Sequence, residues 1–140
     1  MKVDSIVNGI VLDHITAGKV MEVYDALKLD KLDCSVAILK NVSSNKMGKK
    51  DILKIDNDFD IDLDVLGYID HNITVSYIKD GKTVEKKHLA LPERIINVEK
   101  CKNPRCITSI EQELDHVFKL VDREERTYRC LYCDHLAPKK

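Results

Sequence analysis

The chain has 140 residues, a formal net charge of −1 from 23 basic and 24 acidic side chains, and 44% hydrophobic residues. This length allows one domain or two small ones, and the balanced charge excludes a general binder of phosphate backbones, which would carry a basic excess. There is no run of about 18 apolar residues to span a membrane, and no charged, apolar and small-residue succession that reads as a signal peptide at the N-terminus. The expected compartment is the cytoplasm.

From the N-terminus, residues 3–15 alternate in part and end in the apolar run Ile10-Val11-Leu12, which predicts a strand. Thr16 is a candidate cap for an amphipathic helix over 17–29, where Ala17, Val20, Met21, Tyr24 and Leu27 recur at helical spacing. Residues 34–42 are β-branched and apolar and predict a buried strand that includes Cys34 as a small core residue. Residues 43–50 read as a loop and 51–55 as a short strand. Ile61, Val65, Leu66 and Ile69 suggest a second helix with Asp58 or Asp60 near its start, where a carboxylate suits the dipole. Residues 73–78 and 83–89 form two strands joined at Asp80-Gly81, a hairpin signal. The order β-α-β-β-α-β-β predicts an α+β, ferredoxin-like (split βαβ) antiparallel sheet with one added strand.

Leu91-Pro92-Glu93-Arg94 breaks the pattern, so the expected domains are 1–92 and 93–140, the second a small all-β module with Ile107, residues 117–120 and residues 128–131 as strand candidates. A region of about 40–50 residues needs a staple beyond its apolar core. The cysteines supply one. Cys101 and Cys106 are separated by four residues and Cys130 and Cys133 by two, each pair on a turn, while Cys34 stands apart. An odd count without a secretion signal speaks against disulfides. Two cysteine turns present four thiolates at tetrahedral corners, which suits zinc, leaves iron as the chemical alternative and excludes magnesium and calcium. His116 and His135 are available as substitute ligands, but four thiols already close the site, leaving no position for a catalytic water. The module carries ten Lys/Arg against nine Asp/Glu, so docking to a protein suits it better than nucleic acid.

In the first domain Asp13, His14, Lys50, Lys54 and Lys86 lie on or beside strands; such a set suits a polyphosphate and a ribose, although lysine clusters are more often solvated surface. Met47-Gly48-Lys49-Lys50 lacks the first glycine and the hydroxyl of a P-loop. No nucleophile elbow, zinc-protease helix or EF-hand pattern occurs, and the alternating aspartates between 56 and 64 read as a solvated helix start.

Several segments together resemble the regulatory chain of aspartate carbamoyltransferase: residues 3–6, 9–15, 47–57 and 91–98, and the spacing of the four cysteines with Ile107 and Tyr132 beside them. The resemblance covers essentially the whole chain. It implies a non-catalytic subunit of pyrimidine biosynthesis whose first domain binds ATP as activator and CTP, often with UTP, as inhibitor. It also implies a zinc domain, with one ion per chain, that grips the catalytic chain, and regulatory homodimers that bridge two catalytic trimers. Carried over residue by residue, Val3, Asp4, Ile6 and Ile78 line the base pocket, and Lys54 reaches base and ribose. Asp13, His14, Lys50 and Lys86 meet the ribose and phosphates. Ser76 stands where the family commonly has Asn, Gly81 where an aromatic residue is frequent, and Arg105 where Asn is common. Asn103 and Asp134 match polar contacts to the catalytic chain. The other reading weighed is a zinc-ribbon adaptor for nucleic acid or protein, without nucleotide regulation.

Overall fold

A computed structural model describes residues 6–57, 60–111 and 113–137. The chain folds as two compact units, Met1–Ala90 and Leu91–Lys140. Among the described residues no helix is long and apolar enough to cross a membrane.

The first unit runs β1 (Gly9–Thr16), α1 (Val20–Ala26), β2 (Val36–Ser44), β3 (Gly48–Ile55), α2 (Leu63–Ile69), β4 (Thr74–Lys79) and β5 (Lys82–His88). The five strands form one antiparallel sheet in the order β2-β3-β1-β4-β5, the expected split βαβ plan with an added edge strand. Side chains alternate between the two faces of a strand. Ile10, Leu12, Leu53, Ile55 and Val75 therefore share one face, where they bury against Val20 and Val23 of α1 and Leu66 and Ile69 of α2. Val11, Asp13, Lys54, Ser76 and Ile78 stand on the other face. The helices mark out the core, and the polar constellation lies across the sheet from it. Gly9 is required where β1 begins: its φ is +157° and an added Cβ would sit 2.1 Å from the Ile55 carbonyl oxygen.

Several local expectations change. Residues 48–50 belong to β3, so the loop before it shrinks to a tight turn between hydrogen-bonded strands. Cys34 lies in the bend before β2 and packs, half-buried, against the core. Thr16 does not cap α1: the helix starts at Val20, and the residue at its N-cap, Lys19, makes no side-chain cap. The Asp51 carboxylate, fully buried on β3, takes that role from across the fold. It accepts hydrogen bonds from the N–H groups of Gly18 (2.9 Å) and Val20 (3.3 Å), and its second oxygen accepts from Asn41 (2.9 Å). The cap of α2 is Asp62, which accepts from the N–H groups of Asp64 and Val65, and not Asp60; Asp58 lies outside the described residues.

The second unit has three antiparallel strands, β6 (Arg94–Ile96), β7 (Val117–Asp122) and β8 (Thr127–Cys130), in that order, around Ile95, Phe118 and Tyr128. β6 begins at Arg94, the last residue of the Leu91–Arg94 segment that the sequence reads as a break. Ile107, expected in a strand, opens a single helical turn, α3 (Ile107–Ile110), because Cys106 ends a tight turn and stands at its N-cap.

Candidate functional site

The second unit is built around its cysteines. The first pair lies in the segment between β6 and α3, and the second pair at the end of β8. In the first turn the Cys106 N–H donates to the Asn103 carbonyl (3.0 Å), the Arg105 N–H to the Asn103 side chain (3.1 Å), and the Ser109 hydroxyl to the Asn103 carbonyl (2.8 Å). In the second the Asp134 N–H donates to the Cys130 carbonyl (3.0 Å), with Asp134 in the left-handed region at φ 63°. Asn103 and Asp134 are thus placed on the two cysteine turns; Asn103 is half-buried and Asp134 exposed.

Cys101, Cys106 and Cys130 are buried and Cys133 is half-buried, with no disulfide among them. The sulfurs of Cys101 and Cys133 are 3.5 Å apart, those of Cys106 and Cys130 3.6 Å, and all four lie within 4.8 Å of one another. A tetrahedral zinc with Zn–S bonds of ~2.3 Å requires S···S edges of ~3.8 Å. The cage fits the ion. Burial pushes the Cys101 thiol up to about 12, and the neighbouring sulfurs add to that. Burial also opposes ionisation of Cys106, but hydrogen bonds from Thr108 and the flanking thiols outweigh it and hold the group at about 7. Burial raises Cys130 as well. Four thiolates so close need a dication to exist together, and a soft, geometrically tolerant one matches the donor set. Neither histidine joins them. The Cys101 N–H donates to His116 Nδ1 (3.2 Å), so His116 orients a ligand without being one, a role that spacing could not reveal. His135 contributes only its carbonyl, which accepts from the Cys130 N–H (2.9 Å).

On the first unit's sheet, Lys54 of β3, Val11 of β1, Ser76 of β4 and Lys86 of β5 are directly opposed in one row, on the face away from the helices. Ile78 stands opposite Gly9 at one end, beside Ile6; Asp13 stands opposite Thr74 at the other, with His88 beyond it. Val3 and Asp4 lie outside the described residues. Lys50 reaches Asp13 with Nζ 2.9 Å from Oδ1. Partial burial pushes the Asp13 carboxyl up, but the hydrogen bonds and charge of Lys50 and the His14 N–H prevail and hold it below its ordinary value of 3.8. The contribution of this pair to stability is full above that value and fades as pH falls below it. His14 sits at the bulge between Leu12 and Ile15 with φ 59°, its Nδ1 3.2 Å from the Thr74 hydroxyl. Thr74 went unnoticed in the sequence, although it is the register partner of Asp13; period-two counting along residues 74–78 points to it. Lys86 is exposed, and Lys54, Ser76 and Ile78 are half-buried.

A split βαβ domain with a row of cations and a carboxylate on its bare face, joined to a module closed around a four-thiol metal cage, defines a two-domain chain with a structural metal centre. Comparison with known proteins gives the particular family. Residues 1–90 match the family model of the aspartate carbamoyltransferase regulatory chain, allosteric domain, and residues 93–140 that of the same chain's metal binding domain. The chain belongs to the aspartate carbamoyltransferase regulatory chain family. It is 49% identical over 137 residues to the regulatory chain of Clostridium tetani, covering 97% of this chain and 95% of that one. Against that of Clostridium botulinum (strain Hall) it is 50% identical over 136 residues, covering 97% and 93%. Against that of Bifidobacterium longum it is 47% identical over 137 residues, covering 98% and 99%. The two matched domains are allosteric and metal-binding; neither is catalytic.

Proposed function

We propose that this chain is a nucleotide-responsive regulatory subunit of aspartate carbamoyltransferase, controlling de novo pyrimidine synthesis in the cytoplasm. The observation that carries the reading is the row on the bare face of the sheet. Along β1, at right angles to that row, the same face from Gly9 to Asp13 spans about 13 Å at ~3.3 Å per residue, a length suited to a nucleoside triphosphate laid along the strand. Ile6 and Ile78 are the apolar end for the base; Val3 and Asp4, assigned to the same end by the resemblance, lie outside the described residues. Lys54, Ser76 and Lys86 stand at the ribose, and Asp13, His14 and Lys50 at the phosphates. CTP and UTP inhibit and ATP activates, because each binds the two quaternary states with different affinity.

The zinc-bound module docks on the catalytic chain through its cysteine turns, with Asn103 and Asp134 as polar contacts. Supporting this, Ile107, Ile110, Leu131, Tyr132 and Leu136, which surround those turns, are all exposed. Pairs of regulatory chains bridge two catalytic trimers, three pairs to a holoenzyme. Zinc makes no bond to substrate here; it fixes the turns that form the surface.

The test is calorimetric titration of CTP and ATP into wild-type and Lys86→Ala chains. Losing one charge-assisted contact of ~1.5–3 kcal/mol weakens both nucleotides about tenfold or more. Unchanged affinity removes Lys86 from the site.

A further inference from the structure

The second unit's sheet buries one face and leaves the other to solvent. Ile95, Phe118 and Cys130 are register partners on the buried face. On the opposite face Arg94, Lys119 and Arg129 are directly opposed across β6, β7 and β8, three cations in a row about 10 Å long at ~4.8 Å between strands. Arg94 and Lys119 are exposed and Arg129 is half-buried. Like charges directly opposed destabilise a sheet, so this row strains the free chain. No ion pair joins any of the three to a carboxylate among the described residues. Beside β6 and β7 a groove of about 370 Å3 adds Arg123 to Arg94 and Lys119, with Glu93 as its one carboxylate.

Two residues further along each strand, on the same face, runs a second row. Ile96 opposes Val117, and the Leu131 N–H donates to the Val117 carbonyl (2.9 Å). Ile96 is 57% exposed and Leu131 38%. An apolar row beside a cationic one suits a partner that carries both chemistries. A nucleic acid, held through its phosphates, would leave the apolar row uncovered. The face also runs into the second cysteine turn: Leu131 lies in it, and the Arg129 guanidinium donates to the Asp134 carbonyl (2.9 Å). It is therefore continuous with the surface proposed above to dock on the catalytic chain.

We propose that the outer face of β6-β7-β8 docks an acidic segment of the catalytic chain. Two or more of that segment's carboxylates, ~5–10 Å apart, lie over Arg94, Lys119 and Arg129, and its neighbouring apolar side chains cover Ile96, Val117 and Leu131. Carboxylates laid there relieve a repulsion that the free chain bears, which favours the docked state and speeds encounter. The inference rests on the docking reading and names the chemistry of the partner.

The experiment follows association of the full-length zinc-loaded chain with the catalytic trimer by surface plasmon resonance, at about 50 and about 300 mM NaCl. It compares wild type with Arg94→Gln/Lys119→Gln and with Lys119→Glu, which sets a carboxylate between two arginines. The wild-type association rate falls about tenfold across that range. The double variant is about tenfold slower than wild type at low salt and changes less than about threefold with salt. Lys119→Glu is also slower at low salt, yet its second unit melts no lower than wild type and keeps its zinc, because the substitution breaks up a like-charge row. That single change keeps the inference testable if the double variant loses its fold. Lys119→Glu melting lower and losing zinc would give the row a structural role and overturn the inference. Wild type and both variants associating at one rate, with one salt dependence, overturns it and leaves the docking reading intact. Wild type failing to bind the trimer removes the docking reading and this inference with it. A DNA duplex held by wild type and released by the double variant, with trimer association alike in both, overturns it in favour of nucleic acid.

Discussion

A Cys106→Ser chain is expected to lose its zinc and to unfold from residue 91 onward while residues 6–90 keep their fold. Cys106 is 2% exposed and stands at the N-cap of α3, so serine there removes a thiolate and disturbs the turn it ends. Structural zinc contributes ~10–16 kcal/mol in small domains, and the core it supports is thin: Leu91, Ile95, Phe118 and Tyr128 besides the cysteines. A three-thiol remnant cannot replace that contribution, because closing the cage is what folds the unit. Metal analysis should give less than about one-tenth of an ion per chain, against one in wild type. Amide spectra should show collapsed dispersion confined to the second unit. Cys34→Ser is the control, since that residue is remote in sequence and absent from the cage, and it should leave zinc content unchanged. A Cys106→Ser chain that keeps a full complement of zinc would contradict the four-thiol assignment.

Asp51→Ala carries the largest effect expected in the first unit. Its carboxylate is fully buried and accepts from Gly18, Val20 and Asn41, which ties α1 to β3 and holds the β2 bulge in place. Removing it leaves three amide donors unsatisfied, each costing ~1–3 kcal/mol, with part recovered by water. The expected loss is about 3–5 kcal/mol, or roughly 12 °C or more in melting temperature for a domain of this size. Asp51→Asn keeps one acceptor oxygen and should fall between the two. Thermal unfolding followed by far-UV circular dichroism reads the difference; a loss below about 1 kcal/mol would show that Asp51 is not the cap of α1.

Asp51 also shows where the sequence stops being readable. Its partners lie 33, 31 and 10 residues away, and nothing local distinguishes it from the other aspartates of the chain. Thr16 was the local candidate for the same task, and tertiary context overrode it. The same holds for His116, whose bond to the Cys101 N–H spans 15 residues. What was legible rests on period and spacing. The apolar run of residues 10–12, the alternation along residues 53–55 and 73–78, the turn at Asp80-Gly81 and the two cysteine pairs each carry their meaning within a few residues. The order of elements follows, and with it the split βαβ sheet. Short-range signals failed at segment ends: Lys49 and Lys50 extend a strand through what polarity marked as loop, and Ile107 begins a helical turn that a single apolar residue could not announce. The shared face of Lys54, Ser76 and Lys86 needs the register of four strands, which no single segment contains.

The two units divide the work. The sheet presents the row of groups proposed to take a nucleotide, and the four-thiol cage suits one metal ion, which would hold the two cysteine turns proposed as the docking surface. Neither asks for a reacting group in this chain, and the regulatory family to which it belongs places the chemistry in a separate chain. The most direct measurement is the carbamoyltransferase activity of the catalytic chain at subsaturating aspartate, alone and reconstituted with wild-type or Lys86→Ala regulatory chain, with ATP, CTP and UTP added singly and in pairs. With the wild-type chain ATP should raise the rate and CTP lower it, UTP should deepen the inhibition by CTP, and Lys86→Ala should shift those responses to about tenfold higher nucleotide. Nucleotide responses identical in the presence and absence of this chain, or identical for wild type and Lys86→Ala, would contradict the account.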